Sequence, residues 1–377
     1  MNTLIENNII TRCYTGIGAI GASATYLNSG TIIRNNVLGS ATSADNIGSR
    51  GILISYSAST AGVGSATIRN NDIRVGDYGA TGYSTTIAGI EVGTVNAGLI
   101  IDRNNIHDIN QPSSGGYGAH GIYITGSTST SGVTMTNNFI RDCKMVVYQT
   151  STTSTFIPTG VFFTAGATNV VLDHNTIVIG TQLGSGANFS SFCVNSSVSG
   201  VTFASVRNNI LVNTHNSTSA YCFYTAATSN ISGGTVNNND YYVTGSASVG
   251  YYNSATRSTL SAWQTATGKD AASVSVSPPF VSATDLHIQT SPAPPAVPLF
   301  QTGDAGTGVT VDYDNESRAT PPCIGADEFV LSICSSAVAG NITGNSVACV
   351  ASSNLLSLSG ATSGLGVTQQ WAYGPVG

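Results

Sequence analysis

Val133-Thr134-Met135-Thr136-Asn137-Asn138-Phe139-Ile140 decides how the rest of the chain is read. Its ending is an Asn, one intervening residue and a large apolar residue. The same triplet returns as Asn7-Asn8-Ile9, Asn35-Asn36-Val37, Asn71-Asp72-Ile73, Asn104-Asn105-Ile106, Asn175-Thr176-Ile177, Asn208-Asn209-Ile210 and, less cleanly, Asn239-Asp240-Tyr241. From Asn7 to Asn239 the steps are 28, 36, 33, 34, 37, 33 and 31 residues. Repetition at that period marks a supersecondary unit that cannot bury its apolar side alone and must stack on its copies.

The residues around each anchor say which unit. Three positions before it stand Ile32, Ile68, Ile101, Met135, Leu172 and Val236, assigned inward together with the apolar residue that follows the anchor. A second apolar run opens each unit, usually behind a glycine: Gly51-Ile52-Leu53-Ile54, Gly89-Ile90-Glu91-Val92, Gly121-Ile122-Tyr123-Ile124, Gly160-Val161-Phe162-Phe163, then Phe192-Cys193-Val194 and Tyr221-Cys222-Phe223. These runs are short, β-branched or aromatic, and bounded by Gly, Ser, Thr or Asn, so they read as strands. Coils whose strands pair in parallel with the coil below rise about 4.8 Å each, so about eight coils make a rod of roughly 40 Å. The anchoring Asn is expected at a bend, in the left-handed conformation Asn tolerates. Stacked on its copies, it is also expected to pass side-chain amide hydrogen bonds along the rod.

Gly121-Ile122-Tyr123-Ile124-Thr125-Gly126 followed by residues 133–140, with weaker copies from 5 to about 241, resembles right-handed parallel β-helix proteins of the pectate-lyase-like superfamily. The resemblance implies an all-β fold, a right-handed parallel β-helix over 1–257. It leaves activity open, because that fold carries lyases, hydrolases, esterases, viral spikes and adhesive surface proteins.

Beyond residue 241 the pattern changes. Residues 258–268 open on Ser258, place Leu260 and Trp263 three apart and end on Gly268, which predicts one short helix. Asp285-Leu286-His287-Ile288, Ser291-Pro292-Ala293, Asp312-Tyr313-Asp314, Arg318 and Ile324-Gly325-Ala326-Asp327-Glu328-Phe329 resemble, in that order, the C-terminal closing segment of secreted β-helix proteins of the Bacteroidetes. The second domain is therefore 258–330. The chain departs from that pattern with Asn315-Glu316-Ser317 where a glycine is usual and Cys323 where an Asp is usual. Asp312, Asp314, Arg318, Asp327 and Glu328 read as a calcium or ligand site, or as an Arg–carboxylate clasp, and the clasp is preferred. Residues 331–377, with Cys334, Cys349 and Gln369-Gln370-Trp371, resemble the opening half of an immunoglobulin-like repeat. An anchor already at Asn7, with no leader before it, adds to the expectation of a longer, exported protein with neighbouring domains, extracellular or on the cell surface.

Composition narrows the function classes. Charged residues are 8% of 377 and Gly numbers 43, as turns of a β-rod require. A net charge of −6 with only 12 Lys plus Arg speaks against nucleic acid and against an anionic membrane surface. No apolar run reaches the roughly 18 residues of a membrane span. The seven cysteines match no zinc spacing. Cys193 and Cys222 are expected to be stacked free thiols about 4.8 Å apart, a little wide for a relaxed disulfide.

With charge so scarce, its placement carries information. Arg74-Val75, His107-Asp108 and Arg141-Asp142 occupy equivalent positions in three consecutive coils, with Glu91, His120 and Lys144 in the same section of sequence. Lyase chemistry on a uronate polysaccharide needs a base and a cation to stabilise the enolate. For it His107, Arg141 and Lys144 are the catalytic candidates, and Arg74, Glu91, Asp108, His120, Tyr123, Asp142 and Phe162 the binding candidates. Hydrolase chemistry needs two carboxylates across the bond, and Asp108 with Asp142 could supply them. Ala119-His120-Gly121-Ile122 loosely resembles the Gly-His-Gly segment of polygalacturonases, but that family's paired aspartates and Arg-x-Lys are missing. The bland alternative is a ladder of alternating charges worth a few tenths of a kcal/mol per exposed pair. The column Leu53, Glu91, Tyr123, Phe162, Cys193, Cys222 is assigned outward, either covered by a loop or forming a sugar-stacking face. The preferred function is a non-catalytic extracellular structural or adhesive module that binds polysaccharide or cell-surface glycan. The alternative is a polysaccharide lyase or related carbohydrate-active enzyme, with calcium as the one cofactor considered.

Overall fold

The computed structural model describes residues 3–331 apart from 22–27, 56–62, 77–84, 95–97, 116, 127–131, 147–155, 185–188, 226 and 291–296, together with 341–343 and 357–359. Three long sheets wind into a parallel β-solenoid. The first holds eight strands, from Leu4–Glu6 to Thr235–Asn237; the second holds nine, from Ile9–Ile10 to Asp240–Val243 with Cys143–Met145 added at its side. The third, also of nine, runs from Thr15–Ala19 to Ser248–Tyr252 and ends on Ala255–Arg257, whose pairing is antiparallel. Each coil contributes one strand to each sheet, so every residue meets its counterpart one coil away.

The interior follows from that register. In the first sheet Ile68, Ile101, Met135 and Leu172 stack in one column, and in the second Ile73, Ile106, Ile140 and Ile177 do, all buried as the repeat predicts. In the third sheet a column of glycines faces them. A Cβ on Gly51, Gly89, Gly121 or Gly160 would stand 2.4, 2.5, 2.5 or 2.4 Å from Cγ2 of Ile73, Ile106, Ile140 or Ile177. Those glycines are the space into which the isoleucines of the second sheet pack.

At the bend between the first and second sheets runs a ladder of buried amides. Nδ2 of Asn36, Asn71, Asn104, Asn138, Asn175 and Asn209 donates to Oδ1 of the next at 2.9, 2.9, 3.0, 2.9, 3.1 and 2.9 Å, ending on Asn239. The same Oδ1 accepts the backbone N–H of the previous Asn, as from Asn104 to Asn138 at 3.0 Å. Asn8 opens the ladder through its 2.9 Å bond to Asn36.

The left-handed residue is the one before each ladder Asn: Asn35, Asn70, Arg103, Asn137, His174, Asn208 and Asn238 all have φ between 55° and 57°. This corrects the expected left-handed conformation at Asn71, Asn104, Asn138, Asn175 and Asn239, where the preceding residue takes it, and the expected register in the other three coils. At Asn7-Asn8, Asn35-Asn36 and Asn208-Asn209 the first Asn takes the left-handed turn and the second sends its amide inward, whereas at Asn104-Asn105 Arg103 takes the turn and Asn104 holds the ladder. Asn8, Asn36 and Asn209 therefore hold the ladder instead of Asn7, Asn35 and Asn208. Ile33, Leu38 and Leu211 point inward, while Ile9 and Val37 are 80% and 43% exposed and Ile210 turns outward beneath the C-terminal segment.

Cys193 and Cys222 also sit differently from expectation. Val161 pairs with Val194 and Phe162 with Asn195, so Cys193 continues the glycine column and lies in the core, as does Cys222. The outward column runs from Phe162 through Asn195 and Tyr224. Both thiols are buried and free, as are Cys143 and Cys323.

The helix Leu260–Thr267 closes the solenoid. Its N-cap is Thr259, whose side chain accepts from the N–H of Ala262, rather than Ser258, and Gly268 ends it at φ 66°. Buried Trp263 packs on Phe223, Tyr241 and Tyr252 of the last coils. Its indole donates to Asp270 at 2.7 Å, and Asp270 also accepts from Asn239 Nδ2 at 3.0 Å and Ser273 Oγ at 2.6 Å. One buried carboxylate thus receives the end of the amide ladder.

The rest of 258–330 turns back along the outer face of the second sheet. Leu299, Ile324 and Phe329 cover Ile210 and Val212, and Leu286 and Ala326 cover Phe139. Its far end reaches Arg103, which donates to Asn315 at 2.6 Å. In 331–377 the strands Asn341–Thr343 and Ser357–Ser359 pair antiparallel. Cys334, Cys349 and Gln369-Gln370-Trp371, on which the immunoglobulin-like reading rests, lie outside the described residues, as does Ser291-Pro292-Ala293. Among the described residues no helix is long and apolar enough to cross a membrane.

Candidate functional site

The charged residues of three coils meet on the outer face of the second sheet, beyond the edge of the returning segment. Arg74 pairs in register with His107, and the strand then slips by one residue, because Asp108 takes a left-handed φ of 51°. Asp142 does the same one coil on, at 56°. These bulges turn each carboxylate back beside the preceding cation. His107 Nε2 lies 2.8 Å from Asp72 and Nδ1 2.9 Å from Asp108; Arg74 lies 3.0 Å from Asp108. Arg141 lies 2.5 Å from Asp142 and 4.0 Å from Asp108, and Lys144 2.6 Å from Asp142. His107, Arg141 and Lys144 are therefore brought together with Arg74, Asp108 and Asp142, and Asp72 joins them.

The electrostatics follow from this alternation. The hydrogen bond from His107 pulls Asp108 down to about 2 against its burial, helped by Arg74 and Arg141. Burial would lower His107, but its bonds to Asp108 and Asp72 outweigh that and raise it above its ordinary value. The imidazole is thereby biased toward its charged form between two carboxylates. That bias suits an ion pair better than a free base.

Glu91, His120, Tyr123 and Phe162 lie elsewhere, on the outer face of the third sheet, and are only 3%, 0%, 7% and 0% exposed. Glu91 accepts from Arg50 Nε at 2.6 Å. Tyr123 and Phe162 stack at 5.6 Å, with the His120 ring 4.6 and 5.0 Å from them. The nominated set thus divides between two faces. Its aromatic half is packed away from solvent.

The five residues weighed as clasp or ligand site also divide. Arg318 donates to Glu328 at 3.1 Å, to Asn137 at 2.7 Å and to the carbonyls of Gly325 and Ala326 at 3.1 and 3.0 Å. Asp312 accepts the N–H of Glu316 and Glu328 at 2.7 and 2.9 Å. Asp312, Arg318 and Glu328 are the clasp, fastening the returning segment to the bend at Asn137. Asp314 and Asp327 take no part in it and face His287.

Where the far end of that segment meets the coils, Asn70, Asn71, Asp72, Arg103, Tyr313 and Asp314 line a cleft of about 240 Å³. Sequence reasoning missed this cleft, since Tyr313 and Asp314 reach Asp72 only through a chain reversal. Asp72 belongs both to the cleft wall and to the charged ladder. No family profile, no curated protein and no solved structure matches the chain.

Proposed function

We propose that this chain is a non-catalytic structural or adhesive module of an extracellular or cell-surface protein, a β-helix of pectate-lyase-like type that presents its outer surface to polysaccharide. The observation that carries the reading is the pairing of every side chain nominated for chemistry. Arg141 and Lys144 both hold Asp142, and His107 is fixed between Asp72 and Asp108. A base that abstracts a proton next to a uronate carboxylate must be free of such a partner before substrate arrives. The resemblance of 331–377 to the opening half of an immunoglobulin-like repeat supports a string of modules on a long exported chain.

A second reading, a polysaccharide lyase, is favoured by the cleft: Arg103 and Asn70 beside Asp72 could hold an acidic sugar next to the ladder. A panel of uronate polysaccharides, with and without calcium, separates the two. Proton abstraction leaves an unsaturated sugar that absorbs in the ultraviolet, and the module reading expects none to form. Product that appears with the wild type and vanishes in Arg141→Ala and Lys144→Ala, at unchanged melting temperature, would establish the lyase instead.

A further inference from the structure

We propose that His287, Asp314 and Asp327 form a binding site for a divalent transition-metal ion of the zinc class, which fastens the returning segment over the second sheet. The three come from separate stretches of an irregular chain. Yet one ring nitrogen and one oxygen from each carboxylate lie within 4.8 Å of one another. Ligands on tetrahedral zinc, at bonds of about 2.0–2.2 Å, stand roughly 3.3–3.6 Å apart, so modest side-chain rotation closes the site.

The imidazole is already oriented for ligation. Asp285 Oδ1 lies 2.5 Å from His287 Nδ1 and accepts the His287 backbone N–H at 3.1 Å, while Nε2 points at Asp314, 2.9 Å away. A carboxylate holding the far ring nitrogen is the arrangement that fixes tautomer and aim in metal-binding histidines. Phe139 packs edge-on against the ring at 5.0 Å and limits its rotation.

Independent support comes from Asp327, which is 8% exposed. One of its oxygens accepts the N–H of Ile288 at 2.8 Å, and no described cation pairs with it, because Arg318 goes to Glu328. A carboxylate buried this far with only the neighbouring His287 ring as a counter-charge is costly, and a bound cation removes the cost.

The donor set also selects the ion. One imidazole with two carboxylates suits zinc-like metals, whereas calcium wants six to eight oxygens. Calcium on the five residues first considered is further disfavoured because Arg318 occupies Glu328. The side chains of His287 and Asp314 are 32% and 47% exposed, so an ion can enter from solvent, and three protein ligands leave a fourth position for water.

The chelator-treated chain, dialysed against zinc, should retain one ion and gain melting temperature, while calcium should do neither. Cobalt substitution should give the visible absorption of a tetrahedral site. His287→Gln and Asp314→Asn, both partly exposed, should keep the cooperative melt and lose affinity by about 100-fold or more. The competing arrangement is a protonated His287 bridging Asp285 and Asp314 with no metal. A wild type that melts cooperatively but neither retains zinc nor shows the cobalt band would overturn the proposal. So would zinc retained equally by both variants.

Discussion

Asn71, Asn104, Asn138 and Asn175 stand one above another inside the bend, at most 1% exposed, while Arg74, His107 and Arg141 stand one above another on the outer face three residues further along each coil. The coil-to-coil spacing is the same, and both columns are polar. Inside, no water competes, and each amide can be satisfied only by the coils on either side. Outside, the Arg74 and Asp108 side chains are 26% and 31% exposed and solvent screens what their charges contribute, whereas His107 and Arg141 are each 5% exposed. Identical stacking is therefore decisive for register in the inner column and weakest at the Arg74 end of the outer one.

Breaking the inner column should have the largest effect. Asn138→Ala leaves the buried Asn104 backbone N–H and Ile101 carbonyl without their Asn138 partner and takes one of three acceptors from the Asn104 amide. At about 1–3 kcal/mol for each of the first two groups, a loss of about 2–6 kcal/mol is expected in urea denaturation. Ile140→Ala, which removes only apolar contact beside it, should cost roughly 2–5 kcal/mol through burial lost and cavity left. If Asn138→Ala proved the milder of the two, the amides would be passengers of the apolar stack.

A pH scan sharpens the outer half of the comparison. Asp108 is lowered from 3.8 to about 2, so its contribution is present above pH 3.8 and is lost as pH falls toward 2. His107 is raised from 6.5, so its contribution is complete below that value and is lost as pH climbs through its folded value. The stability difference between wild type and His107→Gln should therefore peak between pH 3.8 and 6.5 and shrink on both sides. A difference that stays flat across the scan would show that the ring packs without pairing. The smallest effect belongs to Arg74→Ala, under about 1 kcal/mol, because both side chains of its pair with Asp108 are partly exposed. A larger loss would place this ladder among the structural ones.

What was legible in the sequence divides along the same line. Ile73, Ile106, Ile140 and Ile177 repeat because a buried column admits few residue types, and the period exposes it. The register slipped at Asn7-Asn8, Asn35-Asn36 and Asn208-Asn209 because a left-handed turn and a ladder amide both favour Asn, and sequence does not distinguish the two roles. The charged ladder was visible because charge is rare elsewhere. Where the closing segment docks was not, since its contacts join Ala326 to Thr176, Arg318 to Asn137 and Asn315 to Arg103 across 150, 181 and 212 residues. An irregular chain leaves no period from which to infer such pairings, so His287 remained unconnected to Asp314 and Asp327.

Side-chain amide hydrogen exchange, followed by NMR on the chain labelled at asparagine, tests the inner column most directly. Nδ2 of Asn71, Asn104, Asn138 and Asn175 donates both to the next Asn and to a backbone carbonyl of the preceding coil, Ile33, Ile68, Ile101 and Met135 in turn. Both protons of each of these amides should then exchange only through global unfolding, while those of exposed asparagines such as Asn253 exchange freely. Ladder amides that exchange as fast as Asn253 would contradict the stacked solenoid described here.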